Sequence, residues 1–194
     1  MFPKKASNVL DLGCGNGIFT LELAKHFPNV IGIDTSKKML KEAKKIAKGV
    51  SFIQYDLEKP FPEFDYKFDL ITAKLLLMYI ENLDGFAKEC SKVIEKGGIV
   101  LVSIRHPFRR YGEEEGMSYF YEKTVMHNIG GGSGTEVFFM HRTLETYINT
   151  FRVNGFYCDL IEEPRVRASF MIEYPISEWR DGIPRRLNLR FVKI

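Results

Sequence analysis

The chain has 194 residues, 45% of them hydrophobic and 27% charged, with 28 basic against 25 acidic side chains. That length suits one domain with a substantial core, the net charge of +3 is too mild to nominate a polyanion partner, and the longest apolar run, Leu75 to Ile80, is far short of the roughly 20 residues that span a bilayer. Cys14, Cys90 and Cys158 are odd in number and widely spaced, and "MFPKKASN" has no apolar stretch behind its lysines, so a single cytoplasmic domain (1–194) with reduced thiols and no secretory signal is expected.

In chain order, "NVLDL" reads as strand one and Ile18 to His26 as the helix behind it. "NVIGID" is strand two, and "SKKMLKEAKKIAKG" is an amphipathic helix with Ser36 as N-cap and Gly49 as stop. "VSFIQYD" is strand three; after the proline-bearing loop "LEKPFPEFDYK" comes "FDLITA", strand four. A helix from about Leu83 to Glu95, stopped by Gly97 and Gly98, leads to "GIVLVSI", strand five. Short β-branched runs alternating with helical patterns are the signature of right-handed βαβ units and a parallel sheet.

Residues 105–140 then mix charges, aromatics and a glycine-rich centre, and are expected to form an insertion or lid with Gly130 to Gly134 as a flexible tip, the alternative being a β-hairpin that packs on the sheet edge or forms a dimer contact. A helix from about Thr143 to Arg152, a strand near "GFYCDLIEE" and a last strand "LNLRFVKI" bring the expected strand count to seven.

The chemistry concentrates at the first strand-to-helix turn. Gly13, Gly15 and Gly17 alternate between an apolar β-branched run and a helix, where backbone N–H groups and a helix N-terminus can meet a ligand without an intervening Cβ. Asp34 closes strand two about 20 residues on, where a carboxylate can accept hydrogen bonds from both hydroxyls of a ribose. An adenosine derivative is the expected ligand. The spacing "GCGNG", with Asp11 two positions ahead, departs from the G-x-G-x-x-G of dinucleotide sites.

"VLDLGCGNG" resembles the first motif of the class I S-adenosylmethionine-dependent methyltransferases. "IGIDTSKKML" resembles their second motif, implying Asp34 as ribose ligand with Thr35 and Met39 beside the adenine. "YDLEKPFP" resembles the third, implying Asp56 and the Leu57 backbone at the adenine. "FDLITAKLLLMYI" resembles the fourth, with Ala73 beside the methionine part of the cofactor, and "HRTLETYINTFRVNGF" looks like the late helix of the small-molecule, type 11-like branch. The resemblance implies S-adenosyl-L-methionine as cofactor and an α/β, Rossmann-like, seven-stranded and mostly parallel sheet with helices on both faces, the last strand antiparallel and the insertion after strand five. Asp11, Gly13, Gly15 and Gly17 join the implied cofactor residues, with Asp11 open to either ligand contact or a bracing role under the loop. Met39 and Leu57 are equally open to being core side chains, and Cys14 has no base to make it a nucleophile.

Two departures bear on the chemistry. The relatives' "SSLxLHY" pattern is replaced here by Ala73, Lys74 and Met78, so no histidine role carries over, and the N-terminal helices that commonly cover the site are not expected ahead of strand one. Ligands of open parallel sheets sit outside the carboxyl ends of the strands, which nominates Tyr79 and His106 for catalysis and Arg105, Arg109 and Tyr111 for the acceptor. His106 is expected as base or substrate anchor, the alternative being a cap on the turn before Pro107; the arginines either hold an anionic substrate or pair with Glu113 to Glu115. No metal is assigned. A small-molecule acceptor is favoured over nucleic acid because the end of strand four reads "TAKL" and no RNA-binding module is appended. The alternatives are a cofactor-binding partner subunit without activity of its own and an NAD(P)-dependent oxidoreductase.

Overall fold

The computed structural model describes residues 2–3, 5–108, 118–129, 135–165 and 184–194. Strands β1 (Asn8–Leu12), β2 (Asn29–Asp34), β3 (Ser51–Gln54), β4 (Phe68–Lys74) and β5 (Ile94–Arg105) run parallel in the order β3-β2-β1-β4-β5. The last strand, β9 (Arg186–Lys193), lies antiparallel against β5, and β8 (Phe156–Glu162) pairs antiparallel with β9 to close the sheet at seven strands.

Because a strand turns alternate side chains to opposite faces, β1 feeds two cores. Leu10 and Leu12 pack in the larger cluster with Phe86 and Cys90 of α3 (Leu83–Val93) and Tyr147 and Phe151 of α4 (Leu144–Val153). Val9 packs on the other side with Leu23 of α1 (Ile18–His26), and α2 (Lys37–Ile46) buries Leu40 and Ala43. Helices therefore cover both faces, and β1 is buried from Val9 to Leu12. Three helices start on side-chain caps: Ser36, Asn82 and Thr143 accept from the amides of Met39, Gly85 and Thr146.

Two expectations need correction. First, α3 stops at Val93 and β5 already begins at Ile94, which pairs with Phe68 before the ladder resumes at Leu70 and Ile99. The buried Ile94 side chain holds the strand start, so Gly97, at φ 77°, and Gly98 lie in a bulge within β5 and do not end the helix. Second, the described residues hold nine strands, the seven of the expected sheet and two more outside it. Within 105–140, β6 (Lys123–Ile129) and β7 (Thr135–His141) form an antiparallel hairpin outside the main sheet. Its alternation is hidden among charges and aromatics: the cross-strand pair Val125 and Phe139 is buried, while the next pair, Met126 and Phe138, is exposed. The proposed tip, 130–134, lies outside the described residues. Among the described residues, no helix is long and apolar enough to cross a membrane.

Candidate active site

The register brings the carboxyl ends of four strands to one edge: Leu12 pairs with Ile33 and with Ala73, and Asp34 with Gln54. The loop from β1 into α1 is hooked beneath β2 by the Cys14 amide, which donates to the Ile33 carbonyl at 2.9 Å. Gly13, Gly15 and Gly17 all have positive φ, but their surroundings differ. A Cβ on Gly17 would lie 2.7 Å from the Ala43 Cβ, so this glycine lets α1 start against α2. One on Gly13 would press into Leu76 at 2.9 Å, whereas one on Gly15 would meet nothing within 4 Å. The crown of the loop therefore faces open space, a cradle that a side chain would fill.

Asp34 sits beside that space. Its Oδ2 accepts the Gly15 amide and its Oδ1 the Ser36 amide, each at 2.8 Å. A carboxylate has about four acceptor sites, so two remain for further donors. Thr35 is exposed next to it, and Met39, 46% exposed in the first turn of α2, is a surface side chain and not a core one. Beyond β3, Asp56 is exposed and accepts the Glu58 amide, while Leu57 points into the larger core. Ala73 is fully buried at the end of β4.

Asp11 is 1% exposed, and its two oxygens accept from Thr20 of α1 at 2.6 Å and Thr72 of β4 at 2.7 Å. The geometry is that of a brace joining β1, α1 and β4 under the loop, the second of the two roles left open for it. Burial pushes its carboxyl up to about 6, against the pull of the two hydroxyls and Lys74. Cys14 is buried between Gly32 and the loop, and burial also pushes its thiol up, so it lacks nucleophilic character.

On the side beyond β4, Tyr79 is 42% exposed in a short 3₁₀ turn, Leu77–Tyr79. His106 is 4% exposed; its Nδ1 accepts the Phe108 amide at 3.1 Å and its Nε2 lies 2.8 Å from Glu163. An Nδ1 that accepts assigns the proton to Nε2, which donates to Glu163. Both ring nitrogens are thus engaged within the protein, which is the turn-capping role and leaves no lone pair for a substrate proton. Arg105 lays its guanidinium over the Phe139 ring, 5.1 Å from the centroid. Arg109 and Tyr111 lie outside the described residues. No cluster of metal-ligating side chains occurs among the described residues.

Several contributors were not legible. Leu75 adopts φ 57°, a costly left-handed conformation for a bulky residue, and the turn it makes at the end of β4 leaves the next side chain, Leu76, over Gly13. Thr20 and Thr72 are signalled only by being polar at core-facing positions. Arg142, 6% exposed, donates to three carbonyls of the turn that carries Tyr79; its one signal is a cation placed just ahead of a helix cap.

Comparison with known proteins bears on the same region. The profile of a family described as a methyltransferase domain matches residues 3–138. A ubiquinone biosynthesis O-methyltransferase from Pelagibacter ubique is 34% identical over 104 residues, covering 52% of this chain and 43% of its own. The chain spans less than half the length of the curated relatives it matches. Among solved structures, a candidate S-adenosylmethionine-dependent methyltransferase from Listeria monocytogenes superposes with a TM-score of 0.82 at 28% identity, over 100% of this chain and 93% of that one. An S-adenosylmethionine-dependent methyltransferase from Mesorhizobium loti superposes with a TM-score of 0.81 at 25% identity, over 99% and 94%.

Proposed function

The chain belongs to the methyltransferase-domain family, and on that premise we propose that it transfers a methyl group from S-adenosyl-L-methionine to a small-molecule acceptor. The observation that carries this reading is the pairing of Gly15 with Asp34: a loop crown facing open space, held by a carboxylate that keeps acceptor sites for ribose hydroxyls. Thr35 and Met39 would flank the adenosine on one side and Asp56 with the Leu57 backbone on the other, while Gly13, Gly17 and Ala73 shape the floor and Asp11 braces it. Membership of this family removes the NAD(P)-dependent oxidoreductase as an alternative.

When bound, the cofactor supplies a methyl group on a positively charged sulfur, already electrophilic. The protein's share is then positioning, which in the best intramolecular cases is worth ~7–11 kcal/mol, and a base is an optional addition of about 10²–10⁴ in rate. Tyr79, exposed beyond the end of β4, is the side chain placed to meet an acceptor, and Arg105 offers charge nearby; His106 shapes their surroundings by capping its turn. The described part of the insertion, the β6–β7 hairpin, would wall this side. The printed name of the ubiquinone biosynthesis relative is in keeping with a small acceptor, and both it and a malonyl-[acyl-carrier protein] O-methyltransferase make an oxygen nucleophile the first to test. Three free thiols fit the reducing cytoplasm.

Calorimetric titration with S-adenosylhomocysteine, with NADH as control, tests the cofactor. Transfer of a radiolabelled methyl group to panels of phenols, amines and thiols tests the acceptor. We expect saturable S-adenosylhomocysteine binding, none of NADH, and transfer to at least one small acceptor. Binding without any transfer, restored by a co-purifying chain, would favour a cofactor-binding subunit; no binding at all would overturn the reading.

A further inference from the structure

We infer that Arg142 is a positioning residue that locks the acceptor-side turn to the β6–β7 hairpin. It lies at a three-way junction, directly after β7 and directly before Thr143, the cap of α4. Its Nη1 donates to the Leu77 carbonyl at 3.1 Å, and its Nη2 to the carbonyls of Ile80 at 2.6 Å and Glu81 at 2.9 Å. Those carbonyls bracket Tyr79 on both sides: Leu77 opens the 3₁₀ turn and also accepts the Ile80 amide at 3.4 Å, while Ile80 and Glu81 directly follow it. A planar fork with several fixed donors can hold three carbonyls at once; an ammonium on a flexible stem cannot fix their relative positions.

The surroundings are built around this charge. Glu122, just ahead of β6, accepts from the Thr143 amide at 2.8 Å and from the hydroxyls of Thr143 and Thr146. Burial raises its carboxyl, but these hydrogen bonds and the Arg142 charge outweigh that and hold it below the ordinary value, so an anion stands near the cation. Burial pushes the Tyr147 phenol up to about 12, with the nearby Arg142 charge pulling the other way, so it remains neutral beside the guanidinium. The hairpin closes the contact from the other side, with Val125 and Phe139 packed on Met78 of the same turn. The turn in turn rests on the cofactor side through Leu76, which fills the space over Gly13. One buried cation therefore links the hairpin, the turn carrying Tyr79 and the edge of the glycine loop. That the turn faces an acceptor rests on the proposed function; that Arg142 fixes it does not.

The test compares the full chain with R142M, which keeps an unbranched side chain but no donors, and R142K, which keeps the charge without the fork. In the presence of S-adenosylhomocysteine, amide hydrogen exchange is followed along the chain, and 3-fluorotyrosine placed at position 79 reports the turn by fluorine NMR. Exchange at 77–82 and at 123–129 should rise together by at least about tenfold in R142M and by less in R142K. The fluorine line should be single and narrow in the native chain, broadened in R142M and intermediate in R142K, while S-adenosylhomocysteine affinity changes by less than about threefold. Unchanged exchange at the turn in R142M, loosening of the turn without the hairpin, or a general rise across β1 to β5 in both variants would overturn the clamp. Failure of the native chain to bind S-adenosylhomocysteine would instead count against the methyltransferase reading, with exchange still judging the clamp.

Discussion

The Asp34 carboxylate accepts the Gly15 amide at 2.8 Å, so the residue that closes β2 also fixes the crown of the loop that follows β1. Asp34→Ala therefore removes the loop's tether together with the proposed ribose contact. Hydrogen bonds to a charged group are worth roughly 1.5–3 kcal/mol each, so S-adenosylhomocysteine affinity should fall by at least about tenfold. The Ser36 amide, also held by Asp34, loses its partner, and a small drop in melting temperature should accompany the loss. Calorimetry and thermal unfolding on the same preparation check both; unchanged affinity in a folded variant would sink the ribose assignment.

Gly15 and Gly17 should separate binding from folding. Both have positive φ, which costs an alanine roughly 1–2 kcal/mol, but only at Gly17 would the new Cβ strike backbone and side chain, 2.9 and 2.7 Å from Ala43. Gly17→Ala should thus lower the melting temperature clearly more than Gly15→Ala. Gly15→Ala should lose more S-adenosylhomocysteine affinity than its melting shift accounts for, because its methyl projects into the space a ligand would occupy. Equal affinity losses at equal stability cost would mean that the crown of the loop is structural only.

The parts that local patterns encode were the parts legible beforehand. Strand one, its following helix and the N-cap at Ser36 follow from alternation, helical periodicity and cap chemistry within a few residues of each other. The hairpin is legible only as an alternative to the lid, because among the described side chains its strands bury Val125 against Phe139 and expose Met126 and Phe138, too short an alternation to resolve. His106 shows the limit at the site itself: being at a strand's carboxyl end made it a candidate base, but only the three-dimensional placement of the Phe108 amide and Glu163 reveals that both nitrogens are taken. The three carbonyls that Arg142 holds lie more than 60 residues away in sequence, which no local pattern records.

Asp11 gives the protein a pH dependence of defined sign. Its carboxyl is raised from 3.8 to about 6 by burial, opposed by Thr20, Thr72 and Lys74 and reinforced by Asp34. The folded state therefore holds its proton more tightly than the unfolded state, and the cost of burying the charge appears as pH rises from about 4 to 6 and is constant above that. Asp11→Asn removes the charge, so the stability of the variant relative to the native chain should increase between pH 5 and pH 8, by on the order of 1 kcal/mol. Urea unfolding at the two pH values measures the difference. A gap that is the same at both values, or that narrows in the variant's disfavour at pH 8, would show that Asp11 is not buried as a titrating carboxyl.

Phe139 decides whether the β6–β7 hairpin is a fixed wall or a flap that opens in the free protein. Its ring is 7% exposed, packs with Met78 and Val125, and carries the Arg105 guanidinium on its face. The base of the hairpin is pinned as well: Tyr119 stacks on Phe108 with centroids 4.4 Å apart, and its hydroxyl accepts the Leu144 amide at 2.8 Å. If the hairpin is part of the cooperative fold, Phe139→Ala should remove on the order of 2–3 kcal/mol of global stability and lower the melting temperature by roughly 5–10 °C, because the cavity forms in every folded molecule. If the hairpin opens independently, global unfolding already starts from molecules in which Phe139 is solvated, and the substitution leaves the melting temperature nearly unchanged while raising amide exchange only within 123–129 and 135–141. The anchored base and buried inner face lead us to expect the first outcome, with slow exchange in the hairpin even without ligand; the second would favour the lid.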